Sequence, residues 1–224
     1  MLLNLLLQVT DSTALAAPVE INYFSLLLKG GIVVYPILVL LLITIYLGFE
    51  RYFFIKSNSQ MDPGFIRSLK DNLVRGDIRA ASSLARGTNK PISRILEKGI
   101  NRIGKPVKDI ESAMEIQSNL EVSKMEKNMG YLGLIAGVAP TLGFVGTISG
   151  IIRIFYEIST TGNFTIETIS NGLYEKMIAS FTGLIVGLIA YSLYHGINMM
   201  IDKFSIHLQS TVMDFFDTLN EPTR

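Results

Sequence analysis

Glu175 is the residue whose type and position most invite chemistry. It stands two residues before Met177–Ile201, twenty-five residues without Asp, Glu, Lys or Arg, and it follows the uncharged Thr168–Tyr174. If a helix extends outward through that segment, the carboxyl lies inside the hydrocarbon layer. An ionised carboxylate there costs about 2.5–3.5 kcal/mol on insertion scales, so such a group faces a cavity or a partner. A carboxyl in those surroundings is suited to taking up and releasing protons. The alternative is an interfacial Glu175–Lys176 pair at a helix end. Arg153 pairs favourably with Glu157 at i, i+4, or, if it lies near Glu175, holds that carboxylate ionised.

Hydroxyls accompany the carboxyl. Thr141 and Thr147 lie in Asn128–Ile152, and Ser180 and Thr182 follow Glu175. Each either bonds back to its own helix or lines a polar lumen. On one helix Glu175, Ala179 and Thr182 share a face, whereas Ser180 is turned about 140° from Glu175. Both residues contribute to one path only across a wide lumen or between two neighbouring subunits. Other chemistries are poorly served. The chain has no cysteine and only two histidines, His195 and His207, which excludes disulfides and thiolate sites and leaves too few ligands for a typical zinc site. Ser180 and His195 are fifteen residues apart, roughly 22 Å along a helix, so no serine hydrolase assembles within one span. The expectation is no enzyme, no metal and no cofactor.

The elements that position these residues follow from where charge is missing. Of 224 residues, 49% are hydrophobic and 17% charged, with a net charge of +1. That balance is too apolar for a soluble domain and offers no basic surface to nucleic acid. Ile32–Phe49, Asn128–Ile152 and Met177–Ile201 are uncharged over eighteen, twenty-five and twenty-five residues, and about 20 suffice to span a bilayer. The reading is an all-α membrane protein with three transmembrane helices and long cytoplasmic helical extensions. Residues 56–127 hold fourteen Lys/Arg against nine Asp/Glu, while 154–168 hold no Lys or Arg. The positive-inside rule therefore puts 56–127 and the C-terminus in the cytoplasm and the N-terminus outside. The expected organisation is an external segment 1–31, spans at 32–55, 128–153 and 169–201, a cytoplasmic helical domain 56–127, an external connector 154–168 and a cytoplasmic helix 202–224. Within the first segment, Ile21–Lys29 is expected to lie on the membrane surface. An alternative is a leader cleaved after its Ala-rich stretch, although no Lys or Arg precedes the apolar run.

Punctuation makes the cytoplasmic part helical. Asp62-Pro63 starts a helix that Gly76 stops, Asp77 caps the next up to Gly87, and Pro91 opens one closed by Gly104. From Pro106 no Gly or Pro intervenes before the membrane, so one helix is expected to continue into the second span. Beyond the third span, Ile201, Phe204, Leu208, Val212, Phe215 and Leu219 recur every three or four residues, an apolar stripe on a helix projecting into the cytoplasm. The spans are rich in small residues, Gly143, Gly146 and Gly150 in the second and Ala179, Gly183 and Gly187 in the third, which let helix backbones approach closely in lipid.

Two motifs carry a family resemblance. Ala139-Pro140-Thr141-Leu142-Gly143-Phe144-Val145-Gly146-Thr147-Ile148-Ser149-Gly150-Ile151 resembles the signature of the second span in the ExbB/TolQ branch of the MotA/TolQ/ExbB proton channel family. Gly172-Leu173-Tyr174-Glu175, with Ala179-Ser180 and Gly183-Leu184, resembles the motif on its last span. The resemblance implies a homopentameric ring in the bacterial cytoplasmic membrane around the membrane helices of an ExbD/TolR-like single-span partner. Proton flow through it would drive a TonB/TolA-like protein, as in TonB-dependent outer-membrane transport. A TolQ-like envelope or motility stator and a non-conducting scaffold are the alternatives. It also implies that Glu175 is the family's membrane glutamate, that Thr147 and Ser180 line the proton path together with Thr182, and that Pro140, Gly143, Gly146, Gly150, Gly183 and Gly187 serve helix packing. Lys176 stands where the family prefers a small residue, Arg153 where it is usually uncharged, and Ile189 where it commonly has proline.

Overall fold

The computed structural model describes residues 30–60, 62–162 and 165–220. Among these residues the chain forms helices and no strand: α1 Val34–Ser59, α2 Pro63–Val74, α3 Ile78–Gly87, α4 Pro91–Ile100, α5 Val107–Glu126, α6 Met129–Thr161 and α7 Ile166–Asn220. The helical stretches that contain α1, α6 and α7 are long and apolar enough to cross a membrane. The expected surface segment Ile21–Lys29 and the cleavage alternative lie outside the described residues.

Helices α2, α3 and α4 begin where their punctuation sets them, and α4 ends at Ile100, four residues before the expected stop at Gly104. The Asp62 carboxylate accepts from Gly64 N at 2.9 Å, and Asp77 accepts from Ala80 N at 2.9 Å. Each satisfies a first-turn donor that the helix itself cannot. Pro63 and Pro91 occupy first helical positions, where a missing N–H costs nothing. The expected unbroken helix from Pro106 into the membrane is corrected: it divides at Lys127–Asn128. Asn128 takes φ +66°, a left-handed conformation that Asn tolerates better than most residues. That is why a segment without Gly or Pro nevertheless turns. Arg51, buried on α1, donates to Lys124 O at 3.2 Å in the last turn of α5. Its cation thereby meets the carbonyl end of the helix, where positive charge is favoured.

α7 is one rod of 55 residues, roughly 80 Å long at 1.5 Å per residue. Its buried stripe recurs every three or four residues and changes character along the way. In the membrane half it is Ala179, Thr182, Val186 and Ala190, and farther on Ile197, Ile201, Phe204, Leu208 and Phe215. The small stripe joins Ile37, Ile135 and Ala139 in a thin core among α1, α6 and α7. The large stripe enters a broader core with Phe65, Leu69, Ile95, Leu96, Ile110 and Met114. Helices α2 to α5 thus fold back on the C-terminal half of α7 and bury its large side chains.

A charge cluster joins α4 to α5. Glu121, 1% exposed, accepts from Arg94 at 2.6 Å and 2.9 Å, from Lys124 at 2.8 Å and from Gln117 at 2.8 Å. Burial alone would raise its pKa, but the hydrogen bonds and charge of Arg94 and Lys124 more than offset this and lower it to about 2. A depressed carboxylate stabilises the fold fully above its unfolded value and loses that contribution as pH falls through the folded one. Acidification from about pH 4.5 towards 2 is therefore expected to lower the unfolding midpoint of the detergent-solubilised protein. Arg94→Ala leaves the buried carboxylate short of its main partner and is expected to cost about 3 kcal/mol. Melts of the two proteins as a function of pH check both statements.

Candidate functional site

The site is built on the seam between α6 and α7, where backbones touch. A methyl group on Gly183 would lie 2.5 Å from Ala139 O, and one on Gly143 would lie 2.9 Å from the Ser180 Cα. Glycine on both helices permits this approach, and at such spacing Cα–H groups face carbonyl oxygens. One turn farther along α7, Gly187 faces the Pro140 ring and the Ala136 carbonyl. Pro140 has no N–H to donate to that carbonyl, so the notch left by Gly187 accommodates both the ring and the oxygen it leaves bare.

Glu175 lies nine residues inside α7, which starts at Ile166, about 13 Å from its N-terminal end. Its neighbour Lys176 donates from Nζ to Glu175 Oε1 at 2.9 Å, with side-chain exposures of 21% for the lysine and 41% for the glutamate. The two readings of the sequence are therefore combined: the ion pair forms, and it forms within the helix rather than at its end. The aliphatic stem of Lys176 crosses Gly150, where a methyl group would overlap its Cγ and Cδ. Gly31, at φ +76°, comes against the ion pair: a methyl there would lie 2.6 Å from Glu175 Oε1 and 3.4 Å from Lys176 Nζ. A side chain at Gly31 meets both a clash and a left-handed backbone.

The hydroxyls divide. Thr147 donates to Gly143 O at 3.2 Å within α6 and approaches Lys176 O at 3.3 Å across the seam, so it meets the backbone of α7 one residue past Glu175. Thr182 is buried and donates to Ile178 O at 2.8 Å. Ser180 is half-buried and lends its backbone to the contact with Gly143. Thr141 is exposed on α6 and bonds back to Val138 O at 2.8 Å. Gly146 packs on the Val33 side chain. Arg153 is exposed, and among the described residues no ion pair joins it to Glu157 or Glu175. Sequence reasoning missed Gly31 as a neighbour of Glu175, since a turn glycine before a span carries no sign of what it will touch. It also left Gly150 as a packing residue, when what packs there is the lysine.

Comparison with known proteins points to one family. Residues 87–210, more than half of the chain, match the MotA/TolQ/ExbB proton channel family. A putative biopolymer transport protein ExbB-like 1 of Synechocystis sp. is 26% identical over 192 residues, covering 84% of this chain and 72% of that protein. A putative biopolymer transport protein ExbB homolog of Methanothermobacter thermautotrophicus is 27% identical over 187 residues, covering 81% of this chain and 66% of that protein. The Tol-Pal system protein TolQ of Haemophilus influenzae is 25% identical over 114 residues, covering 51% of this chain and 50% of that one.

Gly183→Val pushes α6 from α7 along the seam and is expected to lower the melting midpoint of the purified protein by several degrees. Gly137→Val, at a position with nothing within 4 Å of a would-be methyl, is expected to leave the fold of the single chain unchanged. Paired melts and circular dichroism distinguish the two.

Proposed function

The chain belongs to the MotA/TolQ/ExbB proton channel family, and on that premise we propose that it is the ring-forming subunit of a membrane complex that turns the proton-motive force into mechanical work. The observation that carries this reading is Glu175, an ionisable residue well inside an apolar membrane helix and next to the hydroxyl-bearing seam with α6. Such a residue is functional by default in a membrane. Thr147, Ser180 and Thr182 belong to the same proton path, and Pro140, Gly143, Gly146, Gly150, Gly183 and Gly187 hold the two helices that form it. The protein sits in the bacterial inner membrane with its N-terminus outside and its C-terminus in the cytoplasm.

A ring of five copies fits the surfaces that one chain leaves uncovered. Within the chain only 28% of the apolar window around α1, 28% of that in α6 and 39% of that in α7 are buried. α6 presents Gly143, Gly146 and Gly150 to its own chain, yet Gly137 and Gly130 face open space and Thr141 is exposed. A second small-residue face of that kind suits a helix from a neighbouring copy. The ring would enclose an ExbD/TolR-like single-span protein and act on a TonB/TolA-like one. The ExbB-like role in outer-membrane transport is favoured because the relatives named for ExbB cover 84% and 81% of the chain, against 51% for TolQ. A Tol-type stator is the second reading.

Two measurements test this. Native mass of the complex, expressed with its genomic neighbours, is expected to give five copies with a single-span partner; a monomer or dimer stable in several mild detergents favours a scaffold instead. Glu175→Gln is expected to keep that mass and abolish proton-driven work in cells. Normal function in the variant removes Glu175 from the mechanism.

A further inference from the structure

We infer that the groove between α1 and α7 binds an anionic phospholipid, with one acyl chain in the groove and the phosphate held by Lys56 and Lys203. The groove is a cavity of about 430 Å³, walled by Phe49 and Tyr52 on α1 and by Leu193, Ile197 and Met200 on α7, with Gly196 as its floor. A methyl group on Gly196 would meet nothing within 4 Å, so glycine keeps the floor open. Phe49 is 62% and Tyr52 40% exposed, and the groove therefore opens outward from the bundle. Both helices that form it are long and apolar enough to cross a membrane, so in the single chain it opens on the bilayer. The Ser192 hydroxyl at its edge is spent on Leu188 O at 2.8 Å.

Charge at one end distinguishes this groove. The uncharged runs Ile32–Phe49 and Met177–Ile201 both stop beside it, which sets that end at the level of the lipid head groups. Lys56 lies four residues past Tyr52 and Lys203 three past Met200, so each continues its wall by one helical turn. The Lys56 ammonium stands 5.6 Å from the centroid of the Tyr52 ring. Both lysines are exposed, and among the described residues neither takes part in an ion pair. Within a bilayer an apolar groove gains little by exchanging one lipid tail for another. The groove therefore positions the lipid, and the two ammonium groups select it, as basic pockets between membrane helices select anionic head groups. A second groove, between α1 and α6 beside Tyr46 and Tyr131, ends differently. Four residues past Tyr46 it reaches Glu50, a carboxylate bound by Arg51 and faced by Lys127, which stands where a phosphate would bind.

The chain contains no tryptophan, so a single one introduced into it reports only its own surroundings. Full-length Phe49→Trp and, for the second groove, Tyr46→Trp are reconstituted in phosphatidylcholine vesicles. The vesicles carry a minor fraction of brominated phosphatidylglycerol or brominated phosphatidylcholine, and quenching is compared at equal mole fraction. For Phe49→Trp, phosphatidylglycerol is expected to bind about tenfold more tightly than phosphatidylcholine, a preference of several-fold from each lysine. Adding Lys56→Gln and Lys203→Gln is expected to abolish the preference, and Tyr46→Trp is expected to show none. The inference is overturned if both lipids quench Phe49→Trp alike, if the preference survives loss of both lysines, or if Tyr46→Trp shows the same one. It is also overturned if neither lipid quenches Phe49→Trp, which puts a neighbouring copy or another protein in the groove. Native mass of the chain without any tryptophan guards against a misfolded variant. Phosphatidylglycerol retained by the wild type and lost with the two lysines supports the site, and equal retention by both proteins overturns it. None of these readouts involves Glu175 or proton flow, so the inference stands or falls apart from the channel reading.

Discussion

The contact of backbone on backbone between α6 and α7 is the constraint from which the rest of the membrane half follows. Gly143 and Gly183 meet the opposite main chain with no room for a methyl group, so the helices are as close as helices come. At that separation the lysine stem can lie only where Gly150 makes space for it, and Thr147 reaches the carbonyl of Lys176. The position of Glu175 is therefore a result of helix spacing. The core among these helices, Ile37, Ile135, Ala139, Val186 and Ala190, is thin. In lipid, where hydrophobicity does not draw helices together, close packing of this kind is the principal attraction available.

The half that holds α2 to α5 works by a different balance. There α7 carries large side chains, and α2 to α5 bury them around a core closed by the Glu121 cluster. Charge and hydrophobic burial, both weak agents of helix association inside a bilayer, are concentrated in this half. Arg51 connects the two regimes: it sits on α1, is buried, and donates to the end of α5. Helix α1 is thereby tied to that unit as well as to α7.

Much of this was legible in the residues. Missing charge located the three long apolar helices, and Asp62, Pro63, Asp77 and Pro91 located the starts of the short helices, because capping and proline geometry are local. The stripe of α7 was legible beyond Ile201, where polar residues alternate with apolar ones. Inside the membrane it was not, because a uniformly apolar segment has no contrast from which to read a face. The break at Asn128 was hidden for a related reason. An asparagine in the left-handed region looks in sequence like any polar helix residue. Glu175 was found by its charge, but its surroundings were not, since Gly31 lies far away along the chain and becomes a neighbour only through packing.

The unbroken run of α7 fixes something else about the molecule. Its buried stripe stays in phase from Ala179 to Thr218, so the membrane half and the half packed by α2 to α5 are indexed to each other by residue count. Inserting one residue between Ala190 and Ile197 would rotate one half against the other by about 100°, turning Met200, Lys203 and His207 towards the core. A change of about two full turns restores the match, and one of about three or four residues is absorbed only by local winding of the rod. The rod behaves as a ruler with coarse graduations.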